Sequence, residues 1–108
     1  MTISEWQKEI HALAVHKGWW ETARNTGEML ALVHSEISEA LEAYRDGNPL
    51  DDYYCHLETG KPEGFPIELA DAVIRILDLA ESCGFDMEEM ISRKHAYNQT
   101  REYRHGGK

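Results

Sequence analysis

The sequence predicts an all-α fold, a four-helix-bundle-like protomer with a long irregular loop between the second and third main helices. Three observations carry this. Apolar residues recur at steps of three and four in four separate stretches. Capping residues open those stretches and glycine closes two of them. The three Pro and eight Gly fall mostly outside them, which leaves room for long helices.

The first helix starts at Thr2, where Thr2 and Glu5 have capping-box spacing. It carries an amphipathic stripe of Ile3, Trp6, Ile10 and Leu13 and ends near Gly18. Trp19 and Trp20 follow; such a pair fits a core or subunit interface, and the alternative is that one of them stacks on a nucleobase. The second helix starts near Asn25 or Thr26, with Glu28 as capping partner, and Leu30, Val33, Ile37, Leu41 and Tyr44 form its expected core stripe. Tyr44 to Pro66 is broken repeatedly by Gly and Pro, with a short helical turn expected around Asp51–His56 and Lys61 near its end. Pro66 opens the third helix, whose stripe is Leu69, Val73, Ile76, Leu77 and Ala80. Gly84 closes it. Asp86 caps the fourth helix, with Glu89 as box partner and Phe85 stapled on Met90.

At 108 residues the chain reads as a single domain, 1–108, with a basic tail at 102–108. Its formal net charge of −9 argues against a nucleic-acid polymer as partner, because such proteins grip phosphates with lysine and arginine. Cys55 and Cys83 lack the spacing of a zinc or redox motif. No apolar run reaches the roughly 20 residues that span a bilayer, and the polar N-terminus does not read as a signal peptide. The expectation is a cytoplasmic protein with no membrane partner.

Two acidic steps carry the chemistry. Glu36-x-x-Glu39 lies on the second helix and Glu68-x-x-Asp71 opens the third. Residues three apart share a helix face, so each step sets two carboxylates side by side. Were those faces to meet, four anions would converge, and an all-oxygen cage of that kind suits a hard cation such as Mg²⁺. Each pair alone is also readable as a solvated flank, and Arg75, four residues after Asp71, offers a structural ion pair instead. Asp78 reads as a surface charge. On the fourth helix an initially apolar face continues as Lys94, Asn98 and Arg101, a column of donors suited to an anion or simply a polar helix end.

Taken together and in order, these motifs resemble the MazG-like nucleoside triphosphate pyrophosphohydrolases of the all-α NTP pyrophosphatase superfamily. Lys61-Pro62-Glu63-Gly64 before Glu68-Leu69-Ala70-Asp71, and the ending Arg104-His105-Gly106-Gly107-Lys108, look like small stand-alone phage-type or bacterial members. The resemblance implies hydrolysis of a nucleoside or deoxynucleoside triphosphate between the α and β phosphates. It implies Mg²⁺, with Mn²⁺ as a substitute, on Glu36, Glu39, Glu68 and Asp71. Lys94 and Arg101 would contact phosphates, Asn98 the nucleotide, and Lys61 and Trp20 are further substrate-binding candidates. It also implies a homodimer or homotetramer with sites near the interface. Many relatives have an extra acid where this chain has Ser35; the catalytic base then falls to Glu36, Glu39 or the metal alone. A nucleotide- and metal-binding regulatory module with little turnover is the alternative. A di-iron bundle needs Glu-x-x-His steps on two helices, and the chain has one such step, Glu102-x-x-His105.

Overall fold

The computed structural model describes residues 1–103 and is mostly helical. Four helices, α1 (Ile3–His16), α2 (Thr26–Arg45), α3 (Phe65–Cys83) and α4 (Met87–Gln99), are joined by loops, with two short strands, β1 (Tyr54–Cys55) and β2 (Pro62–Glu63), between α2 and α3. The basic residues 104–108 of the expected tail lie outside the described residues.

The helix starts follow the capping chemistry. Thr2 and Glu5 form the reciprocal capping box of α1. Asn25 accepts from the Glu28 N–H. Gly84 takes the left-handed conformation that ends α3, at φ 83°. Asp86 caps α4 by accepting from the Glu88 N–H, whereas Glu89, the expected box partner, pairs with Arg93 one turn on. The expected helical turn at Asp51–His56 does not form. Tyr54 pairs with Glu63 and Cys55 with Pro62 in an antiparallel hairpin, because the chain reverses around Gly60 and the His56 N–H reaches the Lys61 carbonyl.

Within this protomer α3 is the central element: α1 and α2 each pack on it, while α4 touches mainly α1. The all-α expectation thus holds, with α3 between α1 and α2 and the fourth helix attached through α1. Gln7 sets the attachment. Its buried amide donates to Glu81 and to the Phe85 carbonyl, and its oxygen accepts from the Met87 N–H at 3.0 Å. Ser4 adds a hydroxyl bond to Asp86. Beyond its first turn α4 is exposed throughout.

The inward faces differ from those expected. The core is Met29, Ala40, Ala72, Leu77 and Ala80: small residues let α3 approach its neighbours closely. Leu30, Ile37, Leu41 and Tyr44 of the expected α2 stripe are exposed, as are Trp6 and Leu13 on α1 and Val73 on α3. On α3 the expected stripe is divided: Leu77 and Ala80 lie in the core, while Leu69 and Ile76 are exposed like Val73. The Cα radius of gyration is 16.4 Å, against roughly 13 Å for a compact domain of this length. The accessible surface is 8302 Å², on the order of 2000 Å² more than a compact monomer of this mass presents.

Candidate metal centre

α2 and α3 carry their acidic steps towards each other. One carboxylate oxygen from each of Glu36, Glu39 and Glu68 lies within 4.8 Å of the others. Glu36 is buried, Glu68 partly so, and Glu39 exposed. Asp71 stands outside this trio, beside Glu36 and Arg75 at the edge of the same cluster. The expected convergence of four is thus a group of three with a fourth adjacent.

The electrostatics record the crowding. Burial, followed by the hydrogen bond and charge of Glu39, pushes the Glu68 carboxyl up to about 7 from an ordinary 4.5. Burial and the charge of Glu36 also raise Asp71, partly offset by Arg75. Among the described residues Glu68 Oε2 is buried with no hydrogen-bond partner, an arrangement that proteins rarely leave uncompensated. Three carboxylates that can each offer a hard oxygen, one of them carrying the orphaned atom, fit a Mg²⁺-class ion.

Arg75 does not pair with Asp71. Its Nε donates to Glu36 Oε1 at 2.8 Å, linking α3 to α2. Asp78, expected at the surface, is 7 % exposed. It accepts from His11 Nδ1 at 2.7 Å and from Trp20 Nε1 at 3.0 Å, and those two donors, from α1 and the turn after it, make the burial tolerable.

Two openings share the carboxylates. One is an apolar cleft of about 480 Å³ lined by Trp6, Ile10, Leu13, Trp19 and Ile74, with Glu36, Asp71 and Arg75 also in its lining. The other is a polar cavity of about 280 Å³ bounded by Glu39, Glu68, Tyr54, Lys61 and Glu63. The chain matches no family model, no curated protein and no solved structure in comparisons with all three.

The remaining candidates divide accordingly. Lys61 lines the polar cavity. Trp20 is engaged by Asp78, has its ring edge against His11 and lies under Arg24; Trp19 lines the cleft instead. Lys94, Asn98 and Arg101 line neither opening. Lys94 and Asn98 are exposed on α4, and Arg101, expected on the same helix, lies beyond its end at Gln99; Lys94 and Arg101 each sit over the Tyr97 ring. Ser35 is exposed. Sequence reasoning missed Tyr54 at this site and Asp78 as a buried anchor, and nothing in local spacing marks either.

Proposed function

We propose that the chain is a Mg²⁺-dependent nucleoside triphosphate pyrophosphohydrolase that cleaves the α–β phosphate bond, releasing the monophosphate and pyrophosphate. The observation that carries the reading is that the carboxylate trio is shared by an apolar aromatic cleft, lined by Glu36, and a polar cavity lined by Glu39, Glu68 and Lys61. A nucleotide has the same sequence of chemistries: a flat base, then a region of dense negative charge. With the base against Trp6 and Trp19 and the outer phosphates towards Lys61, the carboxylates fall at the α-phosphate.

Glu36, Glu39 and Glu68, with Asp71 beside them, would hold Mg²⁺ or Mn²⁺. When bound, such an ion neutralises phosphate charge and makes a water more acidic. Glu36 is tied to Arg75, so Glu39, exposed and free of that ion pair, is the carboxylate that accepts the proton of the attacking water. Nothing else in the trio is as accessible.

A homo-oligomer completes the reading. Leu30, Ile37 and Leu41 on α2 and Val73 on α3 form apolar surface that a second copy would cover. The excess accessible area is of the size that stable dimers bury. In such an assembly the partner copy's fourth helix would be free to bring its donors to this site, a role that Lys94, Asn98 and Arg101 do not fill within one protomer.

The Glu36–Arg75 ion pair and Ser35 favour the second reading, a regulatory module that binds nucleotide with little turnover. Incubation with each common NTP and dNTP plus Mg²⁺ or Mn²⁺, with product identification, separates the two. Metal-dependent pyrophosphate release supports the enzyme. Orthophosphate alone rejects α–β cleavage, and metal-dependent binding without turnover selects the module.

A further inference from the structure

The hairpin between α2 and α3 gathers three donors of different chemistry onto one carboxylate. Glu63 Oε2 accepts from the Tyr54 hydroxyl at 3.1 Å. Glu63 Oε1 lies 3.0 Å from His56 Nε2 and 3.5 Å from Lys61 Nζ. These partners, the His56 bond foremost, hold the Glu63 carboxyl below its ordinary range. Tyr54, Lys61 and Glu63 also bound the polar cavity that contains Glu39 and Glu68. On the outer side His56, Lys61 and Glu63 border a wider concavity with the hairpin tip.

This network is not needed to hold the hairpin together. Backbone pairing of Tyr54 with Glu63 and Cys55 with Pro62, the His56–Lys61 bond and the turn at Gly60 already do so. Exposed ion pairs add little stability, and His56 and Lys61 side chains are 49 % and 69 % exposed. The placement of the donors is nevertheless fixed. β2 runs into α3 through Gly64 alone, at φ 123°, where an added Cβ would come within 3.2 Å of the Asp52 carbonyl and of Tyr53 Cα. Glu68 follows in the first turn of α3. The carboxylate that gathers the donors, Glu63, and a proposed metal ligand, Glu68, are thus five residues apart in the chain.

We propose that Tyr54, His56 and Lys61 form the subsite for the outer phosphates, and that Glu63 occupies a phosphate's place in the resting protein. This rests on the nucleotide reading above and specifies where the pyrophosphate half is held. An incoming phosphate presents several acceptor oxygens and more charge than one carboxylate, so it takes over the three donors. Among the described residues, Lys61 is the one cation lining a cavity that also holds Glu39, Glu42, Asp46, Glu63 and Glu68. A bare polyphosphate is therefore repelled, and Glu63 helps to restrict the subsite to the metal-complexed form.

The test is calorimetric titration of the full chain with pyrophosphate in excess Mg²⁺, for wild type, Glu63→Gln and Lys61→Met, beside Mn²⁺ binding without pyrophosphate by electron paramagnetic resonance. Glu63→Gln is expected to bind pyrophosphate several-fold more tightly and Lys61→Met about tenfold more weakly, with Mn²⁺ affinity unchanged in both. In wild type the His56 ring-nitrogen resonances should move on adding pyrophosphate with Mg²⁺. Intact Mn²⁺ binding with the same pyrophosphate affinity in all three proteins overturns the hairpin subsite alone. Absence of Mn²⁺ binding in wild type overturns the metal reading and the subsite with it.

Discussion

Replacing Glu68 by Gln should stabilise the metal-free protein at neutral and alkaline pH while removing its response to Mg²⁺. Glu68 titrates at about 7 in the fold against an ordinary 4.5, because burial and the neighbouring Glu39 disfavour its charge. The folded chain therefore binds more protons than the unfolded chain between those values. Stability falls as pH rises through that window, and the cost is fully present above about 7. A displacement of this size corresponds to roughly 3 kcal/mol between protonation states, and solvent screening at this partly open site leaves on the order of 1 kcal/mol. For a domain of this length that is a melting-temperature change of about 4–8 °C. Thermal melts followed by circular dichroism, at one protein concentration, with EDTA or millimolar Mg²⁺ at several pH values, read the effect. Wild type in EDTA should lose stability from pH 5 to 8 and regain it with Mg²⁺, most at pH 8, where Glu68 is ionised. Glu68→Gln should show a flatter pH profile, melt higher than wild type in EDTA at pH 8 and respond little to Mg²⁺. A variant that melts lower than wild type in EDTA at pH 8, or gains as much from Mg²⁺, would refute the reasoning.

Three further outcomes follow from the packing. Arg75→Gln leaves the buried Glu36 carboxylate without its cation and should cost about 1.5–3 kcal/mol in urea unfolding without metal, with Mg²⁺ recovering much of it; an unchanged midpoint would show the pair to be dispensable. Asp78→Ala removes the shared acceptor of His11 and Trp20 and should cost about 2–4 kcal/mol while shifting tryptophan emission. Mn²⁺ affinity should not change with it, and a parallel loss would tie Asp78 to the metal centre. Leu41→Glu places a charge on the exposed apolar face of α2 and should convert an oligomer to a 12.4 kDa monomer in sedimentation; a wild type that sediments as a monomer at micromolar concentration contradicts the proposed assembly.

The helices and their ends were legible because capping is local: Thr2, Asn25, Gly84 and Asp86 each act within a few residues. The carboxylate trio was legible in part for the same reason, since an i, i+3 step fixes a shared face whatever surrounds it. The direction of the faces was not. Leu30, Ile37 and Leu41 look like a core in isolation, but Ala40, Ala72 and Ala80 permit the closer approach, and α3 packs there. Asp78 was misread because its partners are 67 and 58 residues away. Tyr54 and Glu63 became neighbours only through a hairpin whose register depends on a reversal at Gly60. Lys94, Asn98 and Arg101 line neither opening beside the carboxylates: Gln7 and Ser4 dock the start of α4 on α1, and the helix ends at Gln99, before Arg101.

The central claim is that the acidic faces of α2 and α3 form a metal site that serves a nucleotide. The most direct measurement is Mn²⁺ binding by electron paramagnetic resonance, with and without an α,β-methylene nucleoside triphosphate, for wild type and Glu39→Gln. The account predicts that wild type binds Mn²⁺, more tightly when the analogue is present, and that Glu39→Gln loses most of this binding while keeping its helical spectrum. Wild type that binds no Mn²⁺ even with the analogue, or a Glu39→Gln variant that binds it as well as wild type, would contradict the account.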